Sequence, residues 1–155
     1  MSDYKIKFID ELSEDIEKLM RDDLIEYESQ HGIDVNFKRF ALVLTNNAGK
    51  IFGVLNAFTA FSEIYIDDMW VHKSQRGKGY GRKLIATLEE NFEGKGFNNM
   101  NLVTSAFQAP EFYKKCGFIV EFVRENKINS KLTKTFFVKY FQNEIQEQGI
   151  LKIAK

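Results

Sequence analysis

One stretch constrains the fold of this chain more than any other, because a glycine- and cation-rich segment stands between a strand pattern and a helix pattern. Residues 72–91 read HKSQRGKGYGRKLIATLEEN, and EIYIDDMWV at 63–71 directly before them is typical of a strand. Beyond the glycines an apolar stripe follows at helical spacing, formed by Leu84, Ile85, Leu88 and Phe92. A strand, a glycine loop and a helix in this order direct free backbone N–H groups and the positive end of the helix dipole towards one point. The sequence therefore predicts a site for a phosphate or pyrophosphate.

The spacing of the glycines disfavours two common phosphate motifs. A Walker loop requires Gly-Lys and then Ser or Thr five residues after its first glycine, whereas residues 82–84, which follow Gly77 at that distance, are Arg-Lys-Leu. The dinucleotide fingerprint requires Gly-x-Gly-x-x-Gly, but Gly77, Gly79 and Gly81 are spaced Gly-x-Gly-x-Gly. No acidic residue closes a strand about 20 residues later, where a ribose partner is needed.

The remaining patterns predict one mixed α+β domain over residues 1–155, with a core at 4–141 and a tail at 142–155. A helix is expected after Ser13, ending near Gly32, and a short helix is expected to begin at Pro110. The predicted strands besides 63–71 are 4–9, 39–45, 50–58, 100–105, 118–125 and 133–141, of which 39–45 and 50–58 flank the turn NNAG and form a hairpin.

Charge and composition exclude several classes of protein. Lys plus Arg and Asp plus Glu number 22 each, so the net charge is zero, which argues against a general nucleic-acid or membrane-surface protein. The one cysteine, Cys116, excludes an internal disulfide and, with two widely separated histidines, gives no zinc-binding spacing; no metal is expected. The chain starts without an apolar signal region and has no run of ~20 apolar residues. A cytoplasmic protein is therefore expected.

Two motifs together resemble a known family. Residues 76–81, RGKGYG, preceded by Gln75, fit the signature Gln/Arg-x-x-Gly-x-Gly/Ala and resemble the acetyl-CoA pyrophosphate loop of the GNAT superfamily of N-acetyltransferases. APEFYKKCGF at 109–118 resembles the segment of that family in which a helix with an aromatic-Tyr pair ends at Gly-Phe. The predicted order of elements over 4–141 also follows the family. The resemblance implies a twisted, mostly antiparallel sheet of about seven strands flanked by about four helices.

The resemblance also implies roles for individual residues. Tyr113 falls on the family's tyrosine near the thioester sulfur, whereas Ala106 replaces an asparagine that often contacts the pantetheine, a contact that Gln108 would have to take over. The residues implied to bind acetyl-CoA are Met69, Trp70 and Val71 at the strand end, Gln75, Arg76, Gly77, Lys78, Gly79, Tyr80, Gly81 and Arg82 at the loop, and Gln108 and Phe112.

The general base is the least determined role. The slot that holds a glutamate in some members of the family is Tyr65 here. By strand alternation Asp67 shares a face with Tyr65, Met69 and Val71, and Asp68 points to the opposite face. We expect Asp67 to accept a proton from the amine, directly or through water, because an alkylammonium with a pKa of about 10.4 must lose a proton to become a nucleophile. The alternative is that Asp67 pairs with a neighbouring loop.

The sequence leaves two functions open. The first is transfer of the acetyl group of acetyl-CoA to a small amine, a peptide N-terminus or a lysine by direct attack, with Tyr113 returning a proton to the thiolate. The second is a CoA-binding sensor or interaction module of the same fold without turnover. No motif identifies the acceptor, and the acids at 22–28 are either a cation-attracting surface or a solvated helix face. Since many relatives are dimers, the resemblance also implies a homodimer.

Overall fold

The computed structural model describes residues 4–142, and the chain divides into two compact units, Met1–Val35 and Asn36–Lys155. Residues 143–155, most of the predicted tail, lie outside the described residues. No helix in the described range is both long and apolar enough to cross a bilayer. The boundaries of a single domain stay a prediction.

The first unit contains one helix, α1, Glu14–Gln30. Ser13 is its N-cap as predicted, although its backbone carbonyl rather than its side chain accepts the first hydrogen bond, from the Glu17 N–H at 2.9 Å. Gly32, with φ of 71°, follows the end of the helix. The strand predicted at 4–9 is wrong, since those residues form no strand. Alternation of Lys with Ile and Phe is a local pattern, whereas a strand forms only when a neighbour supplies its hydrogen bonds.

The second unit is built on a six-stranded sheet with the order β1-β2-β3-β4-β6-β5. The pair β3 and β4 is parallel and the other four pairs are antiparallel. In chain order the elements are β1 Lys38–Thr45, β2 Ile51–Ala60, β3 Glu63–Val71, a 3₁₀ turn Lys73–Gln75, α2 Tyr80–Phe92, β4 Asn99–Ser105, α3 Pro110–Lys115, β5 Ile119–Arg124, a 3₁₀ turn Ser130–Leu132 and β6 Lys134–Tyr140.

The mixed α+β architecture is confirmed, with six strands and three α-helices in the described residues instead of about seven and four. The predicted hairpin forms because Asn46 Oδ1 accepts hydrogen bonds from the N–H groups of Ala48 and Lys50, both at 3.0 Å, and Gly49 takes a φ of 78°. The single parallel pair arises because α2 is the crossover between β3 and β4.

The core of this unit lies between the sheet and the apolar stripe of α2. Leu84, Ile85 and Leu88, three of the residues in the predicted stripe, are buried. They cluster with side chains from the facing strands, among which Leu55, Ile64, Met100 and Phe137 have no measurable exposure. This packing holds the start of α2, and with it the glycine loop, against the end of β3.

Candidate active site

The sheet opens between its two central strands. Cross-strand pairing of β3 with β4 covers three residues of each, from Glu63 opposite Asn99 to Tyr65 opposite Asn101. β3 continues to Val71 and β4 to Ser105 without further pairing between them. Beyond Tyr65, the edge of β3 that faces β4 is therefore not paired with that strand.

The direction of the backbone groups along this edge follows from one hydrogen bond. His72 N–H donates to Phe52 O of β2 at 2.7 Å, so it points towards β2. Because successive residues of a strand direct their N–H groups to opposite sides, the N–H groups of Val71 and Met69 point into the gap next to β4. The carbonyl of Val71 lies on the same side, where it accepts a hydrogen bond from Arg76 Nε at 3.0 Å. The gap thus has N–H donors on its β3 wall, and the Arg76 side chain lies at its mouth.

A β-bulge in β3 changes which face each side chain occupies. Ile66 pairs with Ala57 and Asp68 with Asn56, so Asp67 has no opposite residue on β2. Met69 pairs with the buried Leu55 and therefore shares the core face with Ile66. Tyr65 and Asp67 share a face as predicted. The predicted faces of the residues after Asp67 were wrong, because they assumed unbroken alternation through the bulge.

Both aspartates lie on the face opposite Met69. Asp67 Oδ2 accepts from Arg39 Nη1 at 3.0 Å, and Asp68 Oδ2 accepts from Asn56 Nδ2 at 3.4 Å. The guanidinium of Arg39 in turn lies over the ring of Phe58, 5.2 Å from its centroid. The alternative of a structural ion pair for Asp67 therefore has direct support. The pair is exposed, at 60% for Arg39 and 37% for Asp67, and such pairs contribute only about 0–1 kcal/mol.

The glycine loop after β3 has the conformation of an anion site. Gly77 and Gly79 have φ of 75° and 82°, and a Cβ at either position would meet nothing within 4 Å, so the backbone conformation and not crowding requires glycine. Gly79 is the N-cap of α2, and its carbonyl accepts from Lys83 N–H at 3.1 Å. Among the described residues no backbone hydrogen bond uses the N–H groups of 77–82. These donors are therefore available to a bound anion.

The second motif meets this loop through α3. A Cβ at Gly81 would lie 3.0 Å from Phe112 Cζ and 3.6 Å from Met69 Cε, so a side chain there would press on the Phe112 ring. Arg82 Nη2 donates to the carbonyl of Lys115 at 3.0 Å. The two segments singled out in the sequence thus form opposite walls of one cleft.

This cleft has a volume of about 610 Å³. All the predicted acetyl-CoA contacts except Lys78 and Gln108 line the cleft. Two further lining residues, Ala109 and Lys115, were not predicted, although both lie within the second motif. The lining residues are Met69, Trp70, Val71, Gln75, Arg76, Gly77, Gly79, Tyr80, Gly81, Arg82, Ala109, Phe112 and Lys115.

The two predicted contacts outside the lining have other partners. Lys78 Nζ donates to Gln75 Oε1 at 3.1 Å, beside the loop. Gln108 Oε1 accepts from the Ser105 N–H at 2.9 Å and from Thr104 Oγ1 at 3.4 Å. Gln108 therefore uses its side-chain oxygen to hold the turn between β4 and α3.

Tyr113 lies beneath the cleft rather than on its surface. The residue is 9% exposed, and its ring packs near Phe112, Phe118 and Phe137, with centroids 5.2, 6.0 and 6.0 Å away. Burial, and secondarily the nearby Cys116 thiol, raises the pKa of Tyr113 above its ordinary value, which keeps its phenol protonated at neutral pH. Its hydroxyl makes no hydrogen bond to a described residue and is not among the fully enclosed polar atoms. A protonated, unengaged hydroxyl is suited to donate a proton.

The arrangement fits a long ligand with an anionic middle section. The free N–H groups of the loop, with Arg76 and Arg82 beside them, suit a pyrophosphate, and the open edge of β3 suits an extended arm with amide groups. Within residues 4–142 no cluster of three or more His, Cys, Asp or Glu is placed to hold a metal ion.

Comparison with known proteins agrees with this geometry. The chain is similar to blasticidin-S acetyltransferase of Streptomyces morookaense, at 31% identity over 80 residues, which cover 51% of this chain and 59% of that enzyme. It is similar to the crystal structure of an acetyltransferase from Bacillus cereus, with 30% identity, a TM-score of 0.72 and coverage of 87% of this chain and 98% of that one.

It also shares the fold of a streptothricin acetyltransferase from Bacillus anthracis solved in complex with acetyl coenzyme A, with 23% identity, a TM-score of 0.59 and coverage of 67% of this chain and 63% of that one. The sequence profile of the acetyltransferase (GNAT) family matches residues 7–118, which is more than half of the chain. The cleft between the glycine loop, β3 and α3 is thus found in a chain that belongs to the GNAT family of acetyltransferases.

Proposed function

We propose that this protein transfers the acetyl group of acetyl-CoA to a primary amine, by direct attack of the amine while both substrates are bound. The observation that carries the proposal is the glycine loop at the mouth of the cleft. The N–H groups of 77–82 have no backbone acceptor among the described residues, and all of these residues except Lys78 line the cleft that also contains the other predicted contact residues. The solved relative that contains acetyl coenzyme A has the same fold and supports this choice of ligand.

Each wall of the cleft would have its own task. Acetyl-CoA supplies an acetyl group activated as a thioester. The loop would hold the pyrophosphate through N–H groups that need no reorganisation, with charge added by Arg76 and Arg82. The N–H groups of Met69 and Val71 would donate to the thioester carbonyl oxygen, where negative charge develops during attack.

Two side chains would move protons. Tyr113 would donate its phenolic proton to the departing thiolate, a role that its raised pKa permits because the phenol stays protonated at neutral pH. Asp67 would accept the proton of the amine through water. Its ion pair with Arg39 is exposed and therefore weak enough to rearrange when a cationic acceptor approaches.

The second candidate, a CoA-binding module without turnover, uses the same loop and predicts the same ligand binding. It differs from the enzyme in giving Tyr113 no role as a proton donor. We favour the enzyme because the Tyr113 hydroxyl has no hydrogen bond to a described residue and is not fully enclosed, so it can donate a hydrogen bond to a ligand.

The test is thermal unfolding with acetyl-CoA, CoA and NAD, followed by thiol release across a panel of amines. Stabilisation by acetyl-CoA and CoA but not by NAD, with amine-dependent thiol release, is the expected result. Arg76→Ala should weaken the acetyl-CoA effect, whereas Arg124→Ala, at the end of β5, should not. Stabilisation without thiol release for any amine would favour the binding module, and no stabilisation would overturn the assignment of the ligand.

A further inference from the structure

A row of hydrogen-bonded polar side chains lies where β3 and β4 part. Tyr65 Oη donates to Glu63 Oε2, Asn99 Nδ2 donates to Glu63 Oε1 at 2.9 Å, and Asn101 Nδ2 donates to Asn99 Oδ1 at 2.8 Å. Glu63 is opposite Asn99 and Tyr65 is opposite Asn101 in the parallel register, so all four share a face of the sheet. Asn99 is only 4% exposed. A part-buried polar network of this kind holds its side chains in one arrangement.

The carboxylate at one end of the row determines the direction of every hydrogen bond. Because a carboxylate only accepts, Asn99 presents its N–H to Glu63 and its oxygen to Asn101. Asn101 must then donate to Asn99, and its own Oδ1 has no partner in the described part of the chain. The Tyr65 hydroxyl donates its one proton to Glu63, and the lone pairs of its oxygen can still accept a hydrogen bond. Two oxygen acceptors, Tyr65 Oη and Asn101 Oδ1, therefore lie side by side.

Two features keep the Tyr65 oxygen a neutral acceptor in a fixed place. The ring stacks on Phe58 with centroids 4.9 Å apart and an interplanar angle of 13°. The hydrogen bond to Glu63, then burial and the charge of Glu63, raise the pKa of Tyr65 to about 12.

The path from this row to the proposed thioester position is acidic. Asp68, on the same face as Tyr65, has no ion pair among the described residues. Tyr65 is opposite Phe58 and Met69 is opposite Leu55. Three residue steps along β2 therefore separate them, which corresponds to roughly 10 Å at about 3.3 Å per residue of strand. A molecule that reaches from the row to the N–H groups of Met69 and Val71 therefore passes a carboxylate whose partner in the described residues is the neutral amide of Asn56.

We propose that Tyr65 and Asn101 bind a distal ammonium group of the acceptor, so that the acceptor is a small di- or polyamine whose reacting nitrogen lies roughly 10 Å from that ammonium. The inference rests on the proposed function and names the class of amine for it. An ammonium has three N–H donors and no acceptor, which matches two oxygens held with their lone pairs outward. A carboxylate at the same place would meet these oxygens and the Asp68 charge, and would be repelled.

The test compares three amines with the same protein: spermidine, butylamine and 4-aminobutyrate. The expected order of kcat/KM is spermidine first, butylamine next and 4-aminobutyrate last. Asn101→Leu and Tyr65→Phe should each lower the ratio of kcat/KM for spermidine to that for butylamine by about tenfold, the effect of one hydrogen bond to a charged group. Asn91→Leu, on the surface of α2, is the matched control and should leave the ratio as in the wild type.

Stabilisation of each variant by acetyl-CoA checks that the variant folds and binds the ligand. This control separates the proposed function from the proposed ammonium site. If acetyl-CoA stabilises the wild type and amines are acetylated, but both variants keep the wild-type ratio, the ammonium site is wrong and the enzyme stands. Equal use of butylamine and spermidine, or acetylation of none of the three amines by a protein that binds acetyl-CoA, also overturns it. A wild type that does not bind acetyl-CoA removes the proposed function, and this inference with it.

Discussion

Replacing Gly79 by alanine separates the backbone conformation of the glycine loop from its contacts. Gly79 has a φ of 82°, and a Cβ there would touch nothing within 4 Å. The cost of Gly79→Ala is therefore the left-handed conformation alone, about 1–2 kcal/mol for a residue with a side chain. Gly96, between α2 and β4, has a φ of 86° with equally open space and offers a matched control away from the cleft.

The two variants should show this cost in different measurements. The N–H groups of 77–82 have no backbone acceptors among the described residues, so without a ligand the loop of Gly79→Ala can relax to a less strained conformation. Binding of the anion requires the left-handed conformation again, and the cost then appears in the binding free energy. The Kd for acetyl-CoA should then rise by about 5- to 30-fold, the equivalent of about 1–2 kcal/mol. Gly96→Ala should leave the Kd unchanged and lower the Tm by about 2–8 °C for a chain of this size.

The assay is isothermal titration with acetyl-CoA, alongside thermal unfolding of both variants and the wild type. In Gly79→Ala the loss of Tm should be smaller than in Gly96→Ala. If instead Gly79→Ala binds acetyl-CoA with wild-type affinity while losing as much Tm as Gly96→Ala, the loop conformation has no part in holding the ligand and the reasoning fails.

Three further predictions concern single side chains. Tyr113→Phe should lower kcat by about a hundredfold or more while acetyl-CoA still stabilises the protein, since it removes a proton donor and not a binding contact; unchanged kcat in steady-state assays would contradict this. Because the pKa of Tyr65 is raised to about 12 in the folded protein, the unfolded chain loses this proton first as the pH rises. The free energy of unfolding should therefore fall between about pH 10 and pH 12, and it should fall less in Tyr65→Phe. Urea titrations at several pH values measure both. Glu89→Gln should lower the free energy of unfolding by about 1 kcal/mol, because Lys139 Nζ donates to Glu89 at 2.6 Å in a pair that is about three-quarters buried. A Tm equal to that of the wild type would show that the ion pair contributes nothing to stability.

The parts of the fold that the sequence predicted are those written in local patterns. The bounds of β3 and the start of α3 at Pro110 agree with the prediction, because period-2 alternation, helical spacing and a proline at the first turn each act within a few residues. The positive φ of Gly77 and Gly79 was likewise implied by the glycines themselves.

The parts that the sequence did not predict depend on neighbours distant in the chain. The bulge at Asp67 places two adjacent aspartates on one face, and what holds them there is Arg39 and Asn56 on other strands. Two successive carboxylates in the middle of a strand were the available signal for a break in alternation. The row from Tyr65 to Asn101 could not be foreseen, because it depends on a parallel register between strands that are joined through α2.

The central claim is that the cleft brings the acetyl group of acetyl-CoA to an amine nitrogen. The most direct measurement is carbon NMR of the protein with carbonyl-¹³C acetyl-CoA and spermidine. The account predicts that the thioester carbonyl signal is replaced by an amide signal at a rate that depends on spermidine, with free CoA released in equal amount. A thioester signal that persists while acetyl-CoA is bound, or that converts only to acetate, would contradict it.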